Sequence, residues 1–199
     1  MPKAFTEVER EFIRERLVEK GGQQFAKYGI KKTNVEDLAR AVGISKGAFY
    51  LFYNSKEELF LEIIEQFEAE YRSEVFLNEF PIGASYRDSF KLILKKAFSL
   101  WKSHPLLIGF SQEEYEYLLR KLPKEKVLNH LQSDDIFIAE LMKKWKGQGI
   151  EVRVEPQVFS GLMKALFYVS LHENDFEKDI YTETIELLIE LVANHLFPN

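Results

Sequence analysis

TNVEDLARAVGISKGAFYLFYNSKEEL, residues 33–59, is the stretch whose reading decides the fold. Val35, Leu38, Ala39 and Val42 recur at helical spacing and predict a short helix with one apolar face. Thr33 stands where an N-cap belongs, and Glu36, three residues on, completes the pattern of a capping box. Gly43 follows, at the point where a helix end favours a residue free to adopt positive φ. Ile44 plugs the turn. Ser45 caps a second helix, Lys46 to about Phe52, and Ser55 with Glu58 opens a third. A short helix, a glycine turn and a polar-fronted second helix make a helix-turn-helix, whose second helix enters the major groove.

The chemistry of that second helix suits DNA. Lys46 can pair with phosphate. Gly47 and Ala48 carry no bulk, so the backbone can approach closely. Tyr50, one turn on, adds a flat surface and a hydroxyl for a phosphate oxygen. Phe49 and Phe52 are expected to point into the domain. Lys56, at the first position of the third helix, reads as a phosphate clamp beside outward N–H groups. The expected DNA-facing set is Thr33, Ser45, Lys46, Gly47, Ala48, Tyr50 and Lys56, with Lys27, Lys31 and Lys32 supplying diffuse attraction.

The longer run FAKYGIKKTNVEDLARAVGISKGAFYLFYNSKEELF, residues 25–60, resembles the DNA-binding domain of the tetracycline-repressor (TetR) family of bacterial transcription regulators. Phe25, Gly29, Thr33, Val35, Asp37, Leu38, Ala39, Gly43, Ile44, Ser45, Lys46, Gly47, Tyr50, Lys56, Glu57 and Leu59 stand in register with the family pattern. Asn34, Ala48, Leu51 and Phe52 depart from it, so the base-reading contacts do not carry over. The resemblance implies an all-α protein: a three-helix DNA-binding domain at residues 7–55, then a helical-bundle ligand-binding and dimerisation domain at 56–199, about nine helices in all. It implies double-stranded DNA as partner, a homodimer on a palindromic operator, and release by a small apolar or aromatic inducer. The alternative is a regulator controlled by a protein partner or by expression level.

Composition agrees with that division. The 199 residues carry a formal net charge of −5. Residues 1–60 hold eleven Lys or Arg against nine Asp or Glu, a balance of +2; the remainder stands at −7. Such asymmetry fits a protein that touches DNA at one end only. The chain has no cysteine, which excludes disulfides and thiolate metal sites. It has no run of the roughly 20 apolar residues that span a membrane, and MPKAFTEVER has no apolar signal core, so a cytoplasmic location is expected.

Along the chain, Thr6 with Glu9 caps a first helix from Glu7 to Tyr28, stopped by Gly29, with Phe12, Ile13, Leu17 and Phe25 as its buried stripe. Gly21 is read as a close helix crossing. The helix from Ser55 is expected to run on towards Pro81, joining the two domains without a flexible linker. Further helices are expected over 85–104 and 106–122, a short turn over 125–131, then from Ser133 or Asp134 to Gly147, from Pro156 to about His172, and from Thr182 onward. No catalytic motif appears, the histidines are scattered, and no metal or cofactor is expected. Phe98, Trp101, Phe110, Tyr115, Tyr117 and Phe167 are candidates for a ligand wall. Phe159, Leu162 and Leu166, with Ile185, Leu188, Ile189, Val192 and Leu196, are the candidate dimer face. Leu187 and Leu191 lie off that stripe, so the last helix presents two faces for burial.

Overall fold

The computed structural model describes residues 5–76, 80 and 85–197. Among these residues there are nine α-helices and no strand: α1 (Glu7–Lys32), α2 (Val35–Ala41), α3 (Lys46–Phe49), α4 (Lys56–Phe76), α5 (Tyr86–Ser103), α6 (Gln112–Lys121), α7 (Lys124–Gly147), α8 (Pro156–Leu171) and α9 (Lys178–Leu196), with a 3-10 turn at Glu173–Asp175 before the last. The expected continuation of α4 through residues 77–79 lies outside the described residues, as do residues 81–84.

The described residues form two compact units. The first comprises the chain up to Ala69 with His104–Phe110 and Glu114–Leu122; the second comprises Glu70–Ser103, Ser111–Glu113 and the chain from Pro123 onward. In the first unit, Leu17, Leu38, Phe49 and Leu59 are fully buried. Phe25 meets Phe60 edge-on at 5.1 Å, and Phe60 stacks on Phe110 at 6.1 Å. Gly21 is buried in α1 because a Cβ there meets Leu59 Cδ2 at 3.0 Å and Ile63 Cδ1 at 3.3 Å. Phe12, expected in the stripe, is 57% exposed. The second unit closes around four rings: Phe90 lies 6.2 Å from Trp145, 5.8 Å from Phe159 and 5.0 Å from Phe197. Burying each such side chain stabilises by about 1.5–3 kcal/mol.

Helix starts show which hydroxyls act as caps. Thr6 accepts from the Glu9 N–H while Glu9 answers the Thr6 N–H, a complete capping box. Ser45 and Ser55 likewise accept from the N–H three residues on. Thr33, Ser133 and Thr182 do the reverse. Each donates its hydroxyl backward, to the carbonyls of Gly29, His130 and Lys178 respectively. They therefore sit at or inside helix turns already formed. This corrects three expectations. Asn34, not Thr33, caps α2, by accepting from the Asp37 N–H. α7 is one helix of 24 residues rather than two pieces. α9 starts at Lys178, one turn before Thr182. α6 starts later than expected, because Gly109 takes φ 80° and the preceding residues form turns.

Gly22 lacks the crowding of Gly21: a Cβ there meets only Ile63 Cγ2, at 3.8 Å. Gly22→Ala is therefore expected to raise the unfolding free energy by about 0.5–1 kcal/mol through helix propensity. Gly21→Val should lower it by about 1–3 kcal/mol through overpacking. Urea denaturation of both variants measures the difference.

Candidate nucleic-acid interface

α2 ends in a tight hydrogen-bonded reversal. The Gly43 N–H bonds the Arg40 carbonyl at 3.1 Å and the Ile44 N–H reaches the Ala39 carbonyl at 3.0 Å. That 6→1 and 5→2 pair is a Schellman motif, and it requires the φ of 77° that Gly43 adopts. The chain then enters α3, which has four α-helical residues rather than the seven expected. Bonds from the Leu51 and Phe52 N–H groups to the carbonyls three residues back carry the coil onward.

Phe49 fixes how this element is rotated. It is fully buried, and Tyr50 and Tyr53 lie against its ring at 5.6 and 5.9 Å. Ser45, Lys46, Gly47 and Tyr50 are consequently exposed on the other side, with Ala48 half-buried. The start of α1 holds the far end. Arg10 donates to the Leu51 carbonyl at 3.2 Å and lies over the Phe52 ring at 5.3 Å, and Phe5 packs on the same ring. Phe52, a departure from the family pattern, thus has a packing partner of its own. Arg14 pairs with Glu62 at 2.7 Å and lies over Tyr53, whose hydroxyl pKa burial raises.

Two of the expected DNA-facing residues are turned inward. Thr33 is 3% exposed and its hydroxyl bonds the Gly29 carbonyl. The Lys56 ammonium donates to the carbonyls of Ile30 at 2.6 Å, Lys31 at 3.1 Å and Thr33 at 2.6 Å. An ammonium has three N–H donors, and here all three meet backbone. Burial pulls the Lys56 pKa down, with the Glu57 carboxylate opposing it. Lys56 caps the last turn of α1 rather than waiting for phosphate.

α1 itself breaks at Gly29, with φ 74° and ψ 168°. The Ile30 N–H beyond the break is accepted by the Glu114 carboxylate of α6; burial raises that group's pKa, and Ile30 and Lys31 counter it. Tyr117, one turn along α6, donates to Glu57 at 2.7 Å, and burial followed by that bond pushes its pKa up to about 12. Nothing in the acidic run QEEYEY marks Glu114 or Tyr117 for these roles. Lys27, Lys32 and Arg40 line an open groove of about 700 Å³ beside the motif, with Gln23, Gln24 and Tyr28.

The six aromatic candidates for a ligand wall separate. Trp101 and Phe167 meet edge-on at 5.1 Å in the second unit, where Phe98 packs on the core. Phe110 and Tyr117 are engaged in the first unit's own packing, and Tyr115 is half-buried there. The candidate dimer residues face inward. Phe159, Leu166, Ile185, Ile189 and Leu196 are buried, and Leu162, Leu188 and Val192 pack against the same core. The exposed stripes are others: Val158, Gly161, Ala165 and Tyr168 on α8, and Ile180, Leu187 and Leu191 on α9. His104 lays its ring 3.9 Å from Phe67.

The sequence model of bacterial regulatory proteins of the tetR family matches residues 17–63, the span that holds the glycine turn, the buried Phe49 and Lys56. That segment of the chain is a TetR-family DNA-binding domain. The HTH-type transcriptional regulator YerO of Bacillus subtilis is 43% identical over 54 residues, 27% of this chain and 19% of that protein. A probable acrEF/envCD operon repressor of Escherichia coli is 36% identical over 58 residues, 29% of this chain and 26% of that one. The matched segment thus spans about a fifth to a quarter of these relatives' length. A TetR-family transcriptional regulator from Pectobacterium atrosepticum shares the whole fold, with a TM-score of 0.73, 16% identity, and coverage of 98% of this chain and 99% of that one. Among the described residues, no helix is long and apolar enough to cross a membrane.

Lys56→Met leaves three carbonyls without their cation and is expected to lower the unfolding free energy by about 2–3 kcal/mol. Lys56→Arg should not restore it, since a planar fork cannot converge on three carbonyls as an ammonium does. Urea denaturation of the two variants checks both outcomes.

Proposed function

We propose that this chain is a cytoplasmic transcription regulator, a repressor, that binds a palindromic operator as a homodimer and leaves it when a small apolar or aromatic molecule binds. One observation carries the DNA-binding part: burial of Phe49 turns Lys46, Gly47 and Tyr50 outward together on the second helix of a helix-turn-helix. Lys46 and Tyr50 supply phosphate contacts, and Gly47 and Ala48 permit close approach. Thr33 and Lys56 act from inside, by shaping the segment that leads into α2. The repressor reading draws on the Escherichia coli relative. The inducer reading draws on the aromatic meeting of Tyr71, Trp101 and Phe167 in the second unit.

The dimer reading rests on the outward stripes. Val158, Leu187 and Leu191 are 53%, 57% and 56% exposed, more apolar surface than helices packed on only one side leave in water. Gly161 and Ala165, one turn apart on α8, are small enough for helices of two copies to cross closely. Two helices from each subunit make a two-fold four-helix contact, matched by a two-fold operator.

A duplex enriched from a random-sequence library by the wild-type protein provides the probe; enrichment of no duplex refutes the DNA-binding reading. Lys46→Ala should flatten the dependence of log affinity on log salt by about one unit per subunit. Lys56→Met should weaken binding with that slope unchanged, because its ammonium meets carbonyls and not phosphate. Glutamates at Leu187 and Leu191 should give a monomer in sedimentation equilibrium and abolish tight binding. A wild-type monomer that binds the duplex tightly contradicts the dimer.

A further inference from the structure

The backbone N–H and carbonyl of Ile30 are each held by a charged group distant in sequence. Its carbonyl receives the Lys56 ammonium of α4 at 2.6 Å, and its N–H is accepted by the Glu114 carboxylate of α6. Ile30 itself is 1% exposed. The break in α1 makes this arrangement necessary. With Gly29 at φ 74° the helical ladder is interrupted, and the next N–H needs an acceptor from elsewhere. Glu114 also occupies the space over the break: a Cβ on Gly29 lies 2.9 Å from Glu114 Oε1. A second tie sits one turn further along α6, where the Tyr117 hydroxyl donates to the buried Glu57 beside Lys56. Lys31 lies over the Tyr117 ring at 5.9 Å.

Three residues separate Ile30 from Asn34, the cap of α2, so whatever fixes Ile30 fixes where the helix-turn-helix begins. We propose that Glu114 is a positioning residue for DNA binding: its carboxylate oxygen, by accepting the Ile30 N–H at the break in α1, sets the placement of α2 and with it the exposed face of α3. This rests on the DNA-binding reading above, and adds that a residue far outside the helix-turn-helix sets its affinity. The direction of the effect is diagnostic. Removing an acidic group from a DNA-binding unit favours binding on charge alone, so a loss of affinity reports lost placement.

The test compares Glu114→Met, which keeps the length but has no comparable acceptor, with Glu114→Gln, whose amide oxygen accepts while its charge is gone. The probe is the duplex enriched by the wild-type protein, at fixed salt. Glu114→Met should bind about tenfold more weakly, the size of one lost charge-assisted hydrogen bond, and Glu114→Gln should recover to within about threefold. Equal affinity of Glu114→Met and wild type overturns the proposal, as does a Gln variant as weak as the Met variant. In either case the wild type still binds DNA and the functional reading survives. Should the Met variant fail to unfold cooperatively, amide exchange in the wild type decides. The Ile30 N–H should exchange as slowly as interior amides of α6, and exchange as fast as an exposed amide overturns the assignment.

Discussion

A lysine ammonium inserted among the last carbonyls of α1 is the constraint on which the DNA-binding unit depends. The carbonyls at a helix C-terminus have no partners within the helix, and α1 adds a break at Gly29 within that last stretch. Lys56 resolves both needs with one group, meeting the carbonyls of Ile30, Lys31 and Thr33. Because Lys56 is also the first residue of α4, the contact ties the start of α4 to the segment that launches α2. Thr33 completes the closure by returning its hydroxyl to the Gly29 carbonyl at 2.8 Å.

From that base the recognition surface follows by exclusion. The Schellman turn at Gly43 reverses the chain between α2 and α3, and Phe49 is driven fully inside. A helix of four residues has little intrinsic stability, since nucleation is unfavourable and short helices rely on tertiary packing. Phe49 below, Arg10 and Phe5 at one end and the Ser45 cap at the other supply that packing. Lys46, Gly47 and Tyr50 are exposed because every other direction is occupied.

In the second unit, α8 and α9 each carry two apolar stripes. The inward ones, through Phe159 and Leu166 and through Ile185, Ile189 and Leu196, belong to the four-ring core. Leu187 and Leu191 are the outward remainder on α9, with Val158 and Tyr168 on α8. The expectation that these helices have more apolar surface than one core needs corresponds to a real excess. The choice of which stripe faces the core was opposite to the one expected, because a hydrophobic pattern marks both faces alike and only the neighbouring α5 and α7 side chains select one.

The sequence by itself determined what is local and directional. Thr6, Ser45 and Ser55 could be read as caps, Gly29 and Gly43 as breaks, Pro156 as a helix start, and residues 25–60 as a family's helix-turn-helix, since each depends on groups within a few residues. Thr33, Ser133 and Thr182 show where local reading stops. A hydroxyl both donates and accepts, and whether it caps forward or bonds backward depends on whether a helical turn already precedes it. Tertiary structure alone decided the partners of Lys56 and Glu114. A lysine at a helix start satisfies a phosphate or three carbonyls equally well, and a carboxylate in an acidic run shows nothing of an N–H some eighty residues earlier. Only packing α4 and α6 against the broken end of α1 brings those charges to the Ile30 backbone, and with them the geometry of the surface that meets DNA.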